Sequence, residues 1–257
     1  MAEMEVLNKP AQTEIVVIPM IDVSGSMAGA SIGSVNDAMR EVPEQLKDIN
    51  DDVVDSKLLI APMQFSTGAR WFSLDNGKPA EVDTFRWIDM QASGLTDLGA
   101  AFSLLEQKLT VEEKGGWMKG RGGAAPVIIL ISDGAPTDDY KSQLSKLQKR
   151  GWFRAALKFA VAVEGADKDV LAEFTGNPEG VIDTTVIRNN LASVIKLVIR
   201  TASQTASKSA SVGGTGKVSN VVTDNGPDAD AEAQQEAINA VNNEIKLDSV
   251  TDDPSEF

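Results

Sequence analysis

The sequence predicts an α/β fold: a doubly wound, mostly parallel central sheet with one antiparallel edge strand and helices on both faces. Three observations predict it. Across residues 11–200, short β-branched apolar runs alternate with stretches whose apolar residues recur at helical spacing. The strand-like runs are apolar at consecutive rather than alternate positions, as strands covered on both faces are. Acid and hydroxyl residues gather where several of these runs end, the edge at which open α/β sheets present ligand groups.

Taken in order, residues 14–23 (EIVVIPMIDV), 57–65 (KLLIAPMQF), 126–132 (PVIILIS) and 157–163 (LKFAVAV) read as the core strands. After the first, Ile32, Val35, Met39, Val42, Leu46 and Ile49 mark one stripe of a helix, which Pro43 is expected to kink or divide. Residues 67–91 are hard to assign, and an antiparallel edge strand is expected around residues 70–74. Leu98, Phe102, Leu105 and Leu109 form a second helical stripe. A third helix is expected to start on Thr137 as N-cap, with Asp138 and Asp139 in its first turn, and to stop at Gly151 behind Lys146, Lys149 and Arg150. Residues 168–174 and 191–201 read as further helices, and 181–186 as a last edge strand.

Residues 201–257 differ in kind. Small and polar residues dominate, and three Lys face ten Asp and Glu. Such a composition buries little apolar surface to offset ordering entropy, so a flexible acidic tail is expected. Its one exception is a short helix at residues 231–247, where Ile238, Val241 and Ile245 recur at helical spacing. The expected organisation is a lead-in at 1–10, one domain at 11–205 and the tail at 206–257.

Composition removes several function classes. The 24 Lys and Arg against 38 Asp and Glu leave a net charge of −14, a surface that repels a phosphate backbone, so nucleic acid is not the expected partner. With no Cys and no His, thiol nucleophiles, Ser-His-Asp triads, His-ligated zinc and iron–sulfur clusters are all excluded. No run reaches the about 20 apolar residues of a membrane span, and the first residues lack the pattern of a secretory leader. A cytoplasmic protein is expected.

What remains is oxygen chemistry. At the end of the first strand stands Asp22-Val23-Ser24-Gly25-Ser26, where Gly25 permits a tight turn and one carboxylate and two hydroxyls can converge. Gly94-Leu95-Thr96-Asp97 leads into the Leu98 helix, and Ser132-Asp133-Gly134 ends another strand. A hard divalent cation takes such donors, and magnesium is satisfied by one or two carboxylates and several waters. Mg2+ or Mn2+, one per chain, suits the inventory better than any soft metal. An octahedron that protein oxygens fill only in part leaves a position for an outside ligand.

The segments DVSGSM, GLTDLG and SDG, in this order, resemble the metal-ion-dependent adhesion site of von Willebrand factor A domains. The resemblance implies that Ser24, Ser26 and Thr96 ligate the ion directly, with Asp22 and Asp133 close by, often through water. It implies binding rather than catalysis, with a partner's Asp or Glu completing the coordination. SDGAPTDD at residues 132–139 and KGGW at 114–117 are similar to the bacterial TerY-like branch, associated with tellurium resistance and stress response and linked to a protein kinase and a PP2C-type phosphatase. That suggests a scaffold in phosphorylation signalling. Some relatives carry a Cys- and His-rich metal module at the C-terminus, whereas neither Cys nor His occurs in this sequence.

Further residues carry lesser expectations. Asp97 should cap the helix that follows it, with a partner contact as its other use. The loop at 114–123 places Gly115 and Gly120 at P-loop spacing, but Arg121 and Gly122 stand where Lys and Ser or Thr belong. It is expected to be a mobile loop in which Trp117 meets a partner. Two alternatives stay open: an accessory subunit of an AAA+ (MoxR- or chelatase-like) ATPase, and a haloacid dehalogenase-type phosphatase with Asp22 as nucleophile. The latter lacks the acid expected two residues on, where Ser24 stands.

Overall fold

A computed structural model describes residues 12–52, 56–119, 124–133, 135–184, 191–212 and 231–251. The expected architecture is present. Strands β1 (Thr13–Asp22), β3 (Met63–Ser66), β6 (Val127–Ser132), β7 (Leu157–Ala162) and β8 (Val181–Asp183) are joined in parallel in the order β3-β1-β6-β7-β8, and β4 (Gly68–Trp71) adds the antiparallel edge beside β3. β2 (Ser56–Ile60) runs parallel to the first half of β1, and the two-residue β5 (Ala80–Glu81) pairs antiparallel with β2.

The run at 57–65 is thus two strands rather than one. β2 pairs with Thr13 to Val17 and β3 with Met20 to Asp22. The break falls at Pro62, opposite Pro19 of β1, and neither proline has an N–H to give to a ladder.

Side chains of β1 alternate between two cores. Ile15, Val17 and Ile21 join Ile129, Ile131, Phe159 and Val161 beneath α1 (Ala30–Asp52), α6 (Leu191–Val212) and α7 (Ala231–Thr251). Val16, Ile18 and Met20 join Ile128 and Leu130 on the other face, beneath α2 (Leu98–Lys108), α3 (Tyr140–Leu147), α4 (Gly151–Ala155) and α5 (Lys168–Thr175). This two-sided burial is why the strands are apolar throughout.

Several helix boundaries depart from expectation. Pro43 does not divide α1, whose buried stripe from Ile32 to Ile49 continues on both sides of it. Packing against α6 and the sheet outweighs the one backbone bond that Pro43 removes. Asp139, not Thr137, is the N-cap of α3, accepting from the Ser142 N–H at 3.3 Å. Gly151 opens α4 instead of closing α3.

The C-terminal part also differs from a loose acidic tail. α6 continues to Val212, and the helix expected at 231–247 spans Ala231–Thr251. Ala237, Ile238 and Val241 of α7 are fully buried against the sheet-side core. Docking is polar as well as apolar. The Gln234 side chain accepts from the Lys158 N–H and donates to the Lys158 carbonyl, both at 2.9 Å, which satisfies the β7 backbone just before β8 begins to pair with it. A composition poor in large apolar residues docks because the few it has lie on one stripe and an amide completes the strand edge. Residues 1–10, 185–186, 213–230 and 252–257, to which the lead-in, the end of the last strand and parts of the tail were assigned, lie outside the described residues. No helix among the described residues is long and apolar enough to cross a membrane.

Candidate metal centre

β1 ends in Asp22, which is fully buried. Its carboxylate accepts from the Ser24 N–H at 2.8 Å and from the Ser132 hydroxyl at 2.7 Å, so the ends of β1 and β6 are tied through one side chain. The Ser24 and Ser26 hydroxyls lie 3.0 Å apart. The Ser26 hydroxyl donates to Asp133 at 2.9 Å, joining the first loop to the third across 107 residues of sequence. The chain turns between the two serines in a short 3-10 helix, Gly25–Met27, with Met27 buried beneath it.

The loop bearing Thr96 is brought in by backbone bonds. Asn36 on α1 grips Met90 on both sides, accepting from its N–H at 2.9 Å and donating to its carbonyl at 3.0 Å. The Ser93 N–H then donates to the Val23 carbonyl at 2.7 Å, and the Gly25 N–H to the Gly94 carbonyl at 3.0 Å. Gly94 has φ of +89°, and a Cβ there would stand 2.7 Å from the Thr67 hydroxyl, so only glycine fits. Thr96 itself is 6% exposed.

A third connection lay beyond sequence reasoning. Thr137 accepts from the Thr96 N–H at 3.0 Å, donates its own N–H to the Thr96 carbonyl at 2.8 Å and its hydroxyl to Asp97 at 3.2 Å. Asp138 reaches across to accept from the Gly99 and Ala100 N–H groups at 2.8 and 2.9 Å. The N-terminus of α2 is therefore capped by Asp138, from another loop. Asp97 occupies the cap position without capping, because its carboxylate takes the Gly68 N–H at 2.8 Å as well as the Thr137 hydroxyl. The sequence signal is the TDD run itself, whose local pattern points to the start of its own helix.

Trp117 is not an exposed contact. It is 6% exposed, packed against Trp71 with ring centroids 4.3 Å apart, and held over the α2 face of the core. A parallel bridge between Val111 and Met118 folds this loop onto itself, so an aromatic residue expected at a surface closes the edge of the core instead. Gly120 to Gly123 and Gly134 lie outside the described residues.

Asp22, Ser24, Ser26 and Asp133 are thus brought together by direct bonds, and Thr96 lies on a loop bonded to theirs. Among the described residues no group of three or more acidic side chains is placed to hold a metal ion, and the oxygens gathered here belong to two carboxylates and serine hydroxyls. Burial pushes both carboxyls above the usual Asp range. At Asp22 the bonds from Ser132 and Ser24 oppose that push. At Asp133 the bond from Ser26 opposes it, while the charge of Asp22 adds to it. No Lys or Arg among the described residues offsets either charge. Two buried anions without a counter-ion, surrounded by hard oxygen donors, fit a divalent cation.

No curated protein matches the chain. Solved structures do, at identities that show the fold alone. A von Willebrand factor type A protein from Catenulispora acidiphila matches with a TM-score of 0.52 and 16% identity over 76% of this chain and 43% of that one. Proximal thread matrix protein 1 from the mussel byssus, in a structure with its metal-ion-dependent adhesion site occupied by zinc, matches with 0.53 and 15% over 75% and 48%. The open form of the pilus adhesin SpaC from Lactobacillus rhamnosus GG matches with 0.54 and 11% over 77% and 30%. The chain spans less than half the length of each. The family model of the von Willebrand factor type A domain matches residues 16–196, from the first strand through the whole strand-end site, and the chain belongs to that family.

Proposed function

We propose that this chain is a non-enzymatic protein-binding module whose contact with its partner runs through one divalent cation. The Ser24, Ser26 and Thr96 hydroxyls hold the ion, and Asp22 and Asp133 neutralise it from close by, through water. Mg2+ or Mn2+ fills the site, and an Asp or Glu of the partner protein completes the coordination. The observation that carries this reading is the convergence of two buried, uncompensated carboxylates from separate strand ends with the Ser24 and Ser26 hydroxyls. The zinc-occupied adhesion site of the byssus protein and the adhesive role named for SpaC support it by family likeness.

Asp22 is poorly placed to be a phosphatase nucleophile. It is fully buried and both of its oxygens are engaged, by Ser24 and Ser132. The finer part of the reading rests on the motif similarity to the TerY-like branch: a cytoplasmic bacterial scaffold in tellurium or stress response, set between a protein kinase and a PP2C-type phosphatase.

The test is Mn2+ binding followed by electron paramagnetic resonance, in which bound ion loses the signal of free Mn2+. Wild-type protein should quench about one equivalent. Asp133→Ala should weaken binding about ten- to a hundredfold while its circular dichroism spectrum stays native. Undiminished binding by this variant, or its global unfolding, contradicts the assignment.

A further inference from the structure

Among the described residues, Ile88 and Leu95 are the large apolar side chains that stand well out, at 65% and 57% exposure. Leu95 directly precedes Thr96, and the loop that carries it is fastened at every residue. Gly94 accepts from Gly25, the Leu95 N–H donates to the Thr67 hydroxyl at 3.1 Å, Thr96 is bonded to Thr137, and the Asp97 N–H donates to the Ser66 carbonyl at 2.8 Å. Gly94, held at positive φ beside Thr67, and these bonds fix the backbone on both sides of Leu95, whose side chain stands outward. An apolar side chain held outward on a fixed backbone loses little entropy when a partner covers it.

From this placement we infer that Leu95 is the specificity-determining apolar anchor beside the metal, and that the partner presents its acid next to an apolar residue. The inference rests on the metal-bridged reading above and names its partner's chemistry. Charge points the same way. At a net charge of −14 the chain repels additional acids, so an acidic cluster is a poor ligand even where one carboxylate is welcome at the ion. A single acid flanked by Leu or a similar residue satisfies the ion, covers Leu95 and brings no further negative charge.

The experiment uses the full chain with Mg2+ and two synthetic peptides, Gly-Gly-Leu-Glu-Leu-Gly-Gly and Gly-Gly-Ser-Glu-Ser-Gly-Gly, titrated by amide-resonance NMR with chelator as control. Wild-type protein should prefer the Leu peptide about five- to tenfold, the scale of covering part of one leucine. Leu95→Ser should bind both alike, at the affinity of the Ser peptide, with Mg2+ binding unchanged. Equal binding of the two peptides by wild type, or a preference that survives in Leu95→Ser, overturns the role of Leu95 and leaves the metal reading standing. Binding of neither peptide in a Mg2+-dependent way overturns the metal-bridged reading and this inference with it.

Discussion

Lys158 on β7 and Asp22 on β1 are buried ionisable side chains on strands separated by β6 alone, one near the start of its strand and the other at the end. Around Lys158 the fold supplies partners. Its ammonium donates to the carbonyls of Ala156 at 2.9 Å and Phe153 at 3.1 Å, at the C-terminal end of α4, and lies 5.2 Å from the Phe153 ring. Its backbone is completed by Gln234 of α7. Around Asp22 the fold supplies neutral donors and a second anion, Asp133, without a cation among the described residues. Both sites are polar and buried. The hydrogen bonds of the first are completed by the chain, although its charge still carries a burial penalty, whereas in the proposed function the second is completed by a cation from outside, and that difference separates a structural polar group from a ligand-ready one.

If the Lys158 region is architecture, damage there should cost stability and leave metal affinity intact. Ile238 is fully buried where α7 meets the sheet, so Ile238→Ala should lose about 2–5 kcal/mol in urea denaturation with unchanged Mg2+ binding. A loss below about 1 kcal/mol would mean that α7 is docked only loosely.

Lys158 gives a pH signature. Burial lowers its pKa from 10.5 to about 8. Between these values the unfolded chain holds a proton that the folded chain does not, so this group's contribution makes stability rise with pH. Below about pH 8 the full penalty of the buried charge applies, and above about pH 10.5 it is gone. Relative to Lys158→Met, wild-type stability should therefore climb by up to about 3 kcal/mol across that window in denaturation series. A flat difference would show that the carbonyls and the ring compensate the charge completely.

Smaller still is Gln234→Ala, which removes both bonds to the Lys158 backbone. A loss of about 1–2 kcal/mol is expected, with faster amide exchange along α7. Unchanged exchange in α7 would show that its apolar stripe docks it unaided.

How far the sequence could be read follows the same division. The core strands were legible because burial on both faces writes itself as consecutive β-branched residues. The cluster was legible because its acid and hydroxyl residues sit at strand ends in compact runs. What escaped were decisions made between distant segments. Asp138 caps α2 although it stands next to α3, and nothing local to Thr137, Asp138 and Asp139 says which helix each serves. Trp117 is covered by Trp71, some 46 positions away. The stripe of Ile238 and Val241 was visible, but the strand edge that receives it was not, since an unpaired backbone leaves no mark in the residues that own it. Leu95 stands within the GLTDLG motif, yet nothing local to it shows that its side chain is left 57% exposed in the folded chain.

The central claim is that the strand-end cluster is completed by one divalent cation. It is tested most directly by calorimetric titration of Mg2+ and Mn2+ into the metal-stripped full chain, beside Asp22→Ala. The account predicts binding near one ion per chain in the wild type and its loss in the variant. Wild-type protein that takes up neither ion, or a variant that binds as the wild type does, would contradict it.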